Sequence, residues 1–145
     1  IDALYRASQA GVPVDVQVRG ICALRAGVPG LSENIRVRSI LGRYLEHSRI
    51  YAFGPEGSEE VWIGSADLMH RNLDRRVEAL VRIADPEQIA QLASLVRRGV
   101  SPSTSSWALK KNGEWKRHQF AKDGTPLSDL QVELMEEASS RVIGR

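Results

Sequence analysis

The sequence predicts an α/β fold, a mixed and mostly parallel sheet flanked by helices. Three observations predict it. Ile1, Leu4, Tyr5 and Ser8 recur at the spacing of one helix face, and Gly11 and Pro13 end that segment. Val12, Val14, Val16 and Val18 then alternate with other residues, the period of a strand. Further on, Asp85-Pro86 opens a clear amphipathic helix. A helix, a tight turn and a strand in direct succession are the signature of layered α/β architecture.

Taken in order, Arg19-Gly20 closes the first strand at its carboxyl end, where open α/β sheets collect ligands. Residues 25–34 carry Gly27, Pro29 and Gly30 and read as a loop, and Ile35 to Ile40 reads as a short strand. Tyr44 to Phe53 and Glu60 to Ser65 read as two strands joined across Gly54 to Ser58. Asp67 to Asp74 reads as a short helical turn and Val77 to Ile83 as another strand. The helix opened by Asp85-Pro86 has Ile89, Leu92, Leu95 and Val96 on its apolar face and ends near Gly99. Ser101 to Ser106 is small and polar, a linker. Trp107 to Leu109, Asn112-Gly113 and Trp115 to Phe120 read as a β-hairpin, and Leu127 to Val142 as a terminal amphipathic helix. The expected division is a domain over 1–100 and an extension over 101–145, hairpin plus helix, packed on it.

The 145 residues suit one domain with a real core, and 42% apolar with 26% charged residues describe a folded globular chain. A net charge of +2 is too small to argue for nucleic acid, and no nucleic-acid partner is expected. All four lysines lie between Lys110 and Lys122, and every cation before them is Arg or His. Arginine forks pair phosphate oxygens bidentately, which suits a polyanion site; a coding bias toward Arg explains the composition equally well. Cys22 is the single cysteine, so no internal disulfide can form. No apolar run approaches a membrane span and no leader is visible, so the cytoplasm is expected, with peripheral membrane association left open. The chain opens without Met on what reads as a helix under way, so a piece of a longer protein is expected.

The chemistry centres on His47. Side chains two apart on a strand point to one side, so His47 and Arg49 should share a face, with Glu46 on the other. The second strand then ends in Gly64-Ser65, followed by Asp67 and Asn72 and later by Arg75, Arg76 and Glu78. An imidazole, a guanidinium and small hydrogen-bond donors can surround one phosphoryl group. Ser65, Asp67 and Asn72 are candidates to order the loop beside His47, or are plain turn and cap residues. Glu78 is a candidate to fix an imidazole tautomer, or a salt-bridge partner of Arg75 or Arg76. Arg36, Arg38, Arg43, Arg71 and Arg76 either line a polyanion path or form a solvated face. Trp107 and Trp115 read as core; His70 and His118 have no partner pattern. No cluster shows metal-ligand spacing, so no metal ligand is assigned.

The segment resembles half of a phospholipase D superfamily site, which runs His-x-Lys, four residues, Asp, then Gly-Ser-x-Asn. Arg49 stands at the Lys position, Gly54 at the Asp, and Asp67 at the Asn. A closer resemblance accounts for these departures. Gly30 to Ile50, with its Ser32-Glu-Asn-Ile-Arg-Val-Arg-Ser39 and Leu45-Glu-His-Ser-Arg49, is similar to the C-terminal catalytic domain of bacterial polyphosphate kinases of the histidine-autophosphorylating type. Gly64 to Glu78 resembles the family's next block and Asp15 to Gly20 the block before. The resemblance covers roughly Ile1 to Pro86 and is ungapped from Arg19 to His47; from about Gln88 the reading rests on pattern alone.

The resemblance implies a phospholipase D-like α/β domain of an enzyme that moves the terminal phosphate of ATP reversibly onto inorganic polyphosphate through a phosphohistidine outside this chain. It implies that His47 binds ATP and acts as acid–base partner, that Arg19 contacts ATP phosphate, and that Arg49, Ser65, Asp67, Asn72 and Glu78 support them. Implied partners are ATP or ADP, polyphosphate, upstream domains of the same chain and further copies in a homo-oligomer. Mg²⁺ would enter with ATP on ligands outside this chain, and the chain alone would be inert. The rival readings are a phospholipase D-like phosphodiesterase or nuclease half-site and a non-catalytic polyanion-binding module.

Overall fold

A computed structural model describes residues 1–143, and side chains through Arg141. The chain divides into two compact units, one of residues 1–46 with 98 onward, the other of residues 47–97.

The first unit opens with α1 (Asp2–Gln9), then β1 (Val14–Gln17) and β2 (Ile35–Ser39). Its remaining elements are β6 (Ser106–Leu109), β7 (Trp115–His118) and α4 (Leu130–Ile143), numbered in chain order. The sheet runs β1-β2-β6-β7. Alternation in β2 decides what each face does. Ile35, Val37 and Ser39 are buried while Arg36 is exposed and Arg38 half-buried on the opposite face. Leu24, Ala26, Ile35 and Val37 form the core, with Leu4 and Tyr5 of α1, Val14, Val16, Leu109 and Trp115 packed against it. Ser8, also on the α1 core face, is buried; its hydroxyl accepts from the Asn34 amide at 3.1 Å, and its carbonyl accepts from Asn34 Nδ2 at 2.8 Å. The 25–34 loop turns at Gly27 and Gly30, both at positive φ, around fully buried Ser32. Ser32 Oγ accepts from Val28 N at 3.1 Å.

The second unit holds β3 (Ile50–Phe53), β4 (Glu60–Gly64), α2 (His70–Leu73) and β5 (Leu80–Arg82), and the start of α3 (Pro86–Val100), a helix within which the unit boundary falls. Its sheet runs β3-β4-β5. Asp85 caps α3 as expected, accepting from Gln88 N at 2.9 Å. Arg97, near the other end of the helix, pairs with Glu56 at 3.4 Å and contacts Glu59, which ties α3 to the β3–β4 turn.

The α/β class, with mixed strand pairing and flanking helices, is the one the sequence predicts. The expected parallel majority is corrected. Among the described residues β1–β2 is parallel, while β2–β6, β6–β7, β3–β4 and β4–β5 are antiparallel. The cause is connection length: β1 and β2 are joined by a long crossover, whereas β3–β4 and β6–β7 are joined by short turns that only antiparallel strands accept. Two further expectations change. Residues 44–49 are not strand; β3 begins at Ile50. Ser101 to Ser106 is not a loose linker: Thr104 and Ser106 are buried, and Thr104 Oγ1 donates to the Arg98 carbonyl at 2.6 Å. The hairpin turns as predicted at Asn112-Gly113, and Gly113 has φ of 89°.

Ile35 fills the centre of the first unit, whereas Arg36 pairs with Asp15 at its surface. In urea unfolding, Ile35→Ala is expected to cost about 2–5 kcal/mol, and Arg36→Ala less than about 1 kcal/mol. Equal costs would contradict this division of the strand's two faces.

Candidate functional site

His47 opens the second unit on an irregular segment and is exposed. Its segment forms no strand ladder because Arg49 takes over its polar groups. Arg49 Nη1 donates to the His47 carbonyl at 2.6 Å and lies 2.5 Å from ring Nδ1 and 3.2 Å from Nε2. A guanidinium can only donate, so the nearer ring nitrogen, Nδ1, is the one placed to accept from it. The two side chains do share a side, as alternation requires, but through this bond and not through a strand.

The other edge of the guanidinium is fixed by Asp67. Arg49 Nη2 donates to Asp67 Oδ1 at 2.8 Å, with the two side chains only 14% and 22% exposed. Asp67 sits just after β4, so this pair ties the loop leaving β4 to the segment entering β3. Tyr51 stands beside it: partial burial raises its hydroxyl pKa most, with the nearby Arg49 opposing and Asp67 adding.

A second cluster lies around Glu78. Ser65 Oγ donates to Glu78 Oε2 at 2.5 Å and accepts from Ala79 N at 2.9 Å. Asn72 Nδ2 donates to Glu78 Oε1 at 3.2 Å, and Arg76 Nε lies 3.3 Å from the same oxygen. Glu78 is thereby the carboxylate of a loop clamp and the partner of Arg76, and the alternative expectation of a bond to the His47 ring is corrected. These donors, Ser65 first and then Asn72, with Arg76 and Arg49 adding, hold its pKa below the usual carboxylate value. Asn72 is buried and its Oδ1 has no partner among the described residues.

Arg19 belongs to the first unit, after β1, where its Nη1 donates to the Glu46 carbonyl at 3.4 Å. The last helix also reaches this segment, a role the sequence did not reveal. Gln131 Oε1 accepts from Tyr44 N at 2.8 Å, while its Nε2 donates to Tyr44 O at 2.8 Å and to Glu46 Oε1 at 2.7 Å. A Cβ on Gly42 would lie 2.4 Å from Gln131 Oε1, so a larger residue there would have to displace the Gln131 amide from these bonds.

The remaining arginines are spread over both units. Arg36 forks onto Asp15 at 2.7 and 2.6 Å, Arg38 Nη1 donates to Ser106 Oγ at 2.8 Å, and Arg43 lies over the Tyr44 ring. In the second unit Arg71 is exposed and Arg76 is paired with Glu78. His70 contacts Asp74 one helical turn on. Gly54, at the position where a phospholipase D half-site has Asp, has φ of 103°, and a Cβ there would meet the Ser58 carbonyl at 3.0 Å. The β3–β4 turn therefore requires glycine where the half-site requires a carboxylate. Sequence reasoning also missed an apolar groove of about 330 Å³ lined by Tyr51, Phe53, Trp62, Leu68, Leu73 and Leu80. The shared strand parity of Tyr51, Phe53, Trp62 and Leu80 was the available signal. Among the described residues no group of three or more His, Cys, Asp or Glu could hold a metal ion, and no helix is long and apolar enough to cross a membrane.

The family model described as "Polyphosphate kinase C-terminal domain 2" matches residues 1–128, well past Pro86, where the resemblance read from the sequence ends. The polyphosphate kinase of Streptomyces coelicolor is 64% identical over 141 residues, covering 97% of this chain and 19% of the relative. That of Mycobacterium avium is 58% identical over 140 residues, with the same coverage of both. The crystal structure of polyphosphate kinase from Porphyromonas gingivalis superposes with a TM-score of 0.84 at 34% identity, over 98% of this chain and 22% of that one. With a fold of phospholipase D-like α/β class and a family match across most of its length, the chain belongs to the polyphosphate kinase C-terminal domain 2 family. It spans about a fifth of the length of these relatives.

Because the folded pKa of Glu78 lies below its unfolded value, the group contributes stability above the unfolded pKa and loses it as pH falls through the folded pKa. Glu78→Gln is therefore expected to unfold more easily than the parent at neutral pH, with the gap in urea midpoint closing on acidification below about pH 4. A gap that stays constant down to the acid limit would show that the charge of Glu78 does not hold the clamp.

Proposed function

We propose that this chain supplies one wall of the phosphoryl-transfer site of a polyphosphate kinase, with His47 as its acid–base group. In this reading a histidine elsewhere in the full-length protein attacks the terminal phosphorus of ATP. An N–P bond forms as the P–O bond to ADP breaks, and the departing oxygen takes a proton from His47. A terminal oxygen of polyphosphate then attacks the same phosphorus, the N–P bond breaks, and the chain grows by one phosphate; the reverse sequence regenerates ATP. Phosphoryl transfer asks the protein chiefly to position groups and to stabilise charge.

The observation that carries the reading is the exposed imidazole of His47 held by a guanidinium that is itself anchored to Asp67. In this reading Nδ1 would accept from Arg49 and Nε2 would carry the proton toward the substrate. Arg19 would pair ATP phosphate oxygens, Arg49 and Asp67 would orient His47, and Ser65, Asn72 and Glu78 would hold the loop behind them. ATP or ADP and inorganic polyphosphate are the proposed substrates, and Mg²⁺ would arrive with the nucleotide. Upstream domains would supply the nucleophile, so the chain alone would be inert. The setting would be cytoplasmic, in a homo-oligomer.

The test is phosphorus NMR of the full-length protein with Mg·ATP, alongside His47→Ala. The parent should build internal phosphoanhydride signal, and the variant should lose about 10²–10⁴-fold in rate. Unchanged synthesis in the variant would remove His47 from the site. Hydrolysis of a phosphodiester without ATP, lost in the variant, would favour the phosphodiesterase reading instead.

A further inference from the structure

We propose that the β1-β2-β6-β7 sheet carries a second anion site, independent of His47, that takes an inorganic oligophosphate chain through Arg38, Lys110, Lys111 and His118. The site is a cleft of about 610 Å³ in the first unit. Strand register places its groups together. Arg38 pairs with Ala108, Ala108 with Lys116, and Ser106 with His118, so Arg38, Lys116 and His118 project from one face, opposite the face that buries Val37. The hairpin turn adds Lys110 and Lys111 at the rim.

The charge there is only partly cancelled from within. Asp15 pairs with Arg36, and Glu114 bonds Asn112 Nδ2 at 2.7 Å; Glu33, which accepts from the Gly30 amide, sets one carboxylate in the lining against Arg36, Arg38, Lys110 and Lys111. Among the described residues no carboxylate lies within salt-bridge range of Arg38, Lys110, Lys111 or Lys116. Arg38 is locked by its bond to Ser106 Oγ, whose own hydroxyl donates to the Thr104 carbonyl at 3.0 Å. An arginine held through one nitrogen keeps its other donors for a ligand. His118 Nε2 is buried with no hydrogen-bond partner. Burial, then Lys110, Arg38 and Lys116, lower the His118 pKa, and burial and Arg36 lower that of Arg38. An anion in the cleft would relieve both and give Nε2 its missing partner.

The lining favours an inorganic chain over a nucleotide. It contains Ala26, Gly27, Ile35, Val37 and Leu109 but no Phe, Tyr or Trp on which a base could stack. A row of cations along strands suits repeated charges. The site does not rest on the reading of His47, since none of its residues belongs to that cluster.

Equilibrium dialysis of the full-length protein with tripolyphosphate tests it, in a His47→Ala background that blocks turnover. The background protein should bind tripolyphosphate, and adding Lys110→Glu with Lys111→Glu, both surface changes, should weaken the binding of one equivalent by at least about tenfold. Unchanged binding after the double charge reversal would overturn the proposal. Anion binding favours the protonated form of His118, so affinity should rise as pH falls and this rise should flatten in His118→Asn; a rise that survives in His118→Asn would remove His118 from the site. Displacement of tripolyphosphate by ATP or by a single-stranded oligonucleotide at lower concentration than by polyphosphate would overturn the inorganic assignment.

Discussion

The second unit depends on the ion pair between Arg49 and Asp67. Neither residue lies within a strand; the Arg49 carbonyl accepts from Gly64 N at 2.9 Å, where the β3–β4 pairing ends. One guanidinium bonds Asp67, the His47 carbonyl and the His47 ring, and so joins the entry to β3 with the exit from β4. Because both side chains are mostly buried, the pair is shielded from the screening that makes surface ion pairs nearly neutral. Loss of Asp67 would leave the half-buried Arg49 guanidinium without its carboxylate, a penalty larger than the pair itself contributes. Glu78 does similar work one loop away, with Ser65, Asn72 and Arg76 converging on one carboxylate. His47 is exposed, yet its position is set by this chain of bonds and not by packing.

The first unit is organised by a different constraint, the parity of β2. One face supplies Ile35 and Val37 to the core; the other presents Arg36 and Arg38 to a cleft. A shift of one residue in register would exchange the two sets, so burial of the valine and isoleucine also fixes where the cations stand. The terminal helix then acts at a distance in sequence. Gln131 satisfies both backbone groups of Tyr44 and bonds Glu46, giving an irregular segment the hydrogen bonds that a strand neighbour would otherwise provide.

Much of this was legible. The helix face of Ile1 to Ser8, the valine alternation before Arg19, the Asp85 cap and the Asn112-Gly113 turn are local signals, and local signals survive folding. The failures share a cause. Tyr44 to Phe53 has the composition of one long strand, but Arg49 captures the His47 carbonyl and Gln131 captures Tyr44, so the pairing with β4 reaches back only to the Arg49 carbonyl. The partners of Gln131 lie some 85 positions away and could not be read from spacing. The antiparallel majority was readable from the short connections, but the helix–turn–strand opening drew the reading toward parallel order. The pattern could not say that Arg49 and Asp67 form one clamp and Ser65, Asn72 and Glu78 another.

The distribution of charge reverses the argument that composition offered. Arginine in place of lysine was taken to suit a polyanion, because its fork matches phosphate. The same fork matches carboxylates, and that is where many of these arginines go: Arg36 to Asp15, Arg49 to Asp67, Arg76 to Glu78, Arg97 to Glu56 and Glu59, Arg98 to Glu133 and Glu137. Such arginines stiffen the scaffold and have little charge left to offer. Lys110, Lys111 and Lys116, confined to one hairpin, have no carboxylate in range among the described residues. A compact ammonium on a flexible stem gains less from a fixed partner and stays available to a mobile anion. In this chain the count of arginines therefore measures how the fold is braced, and the placement of a few lysines shows where it can still bind charge.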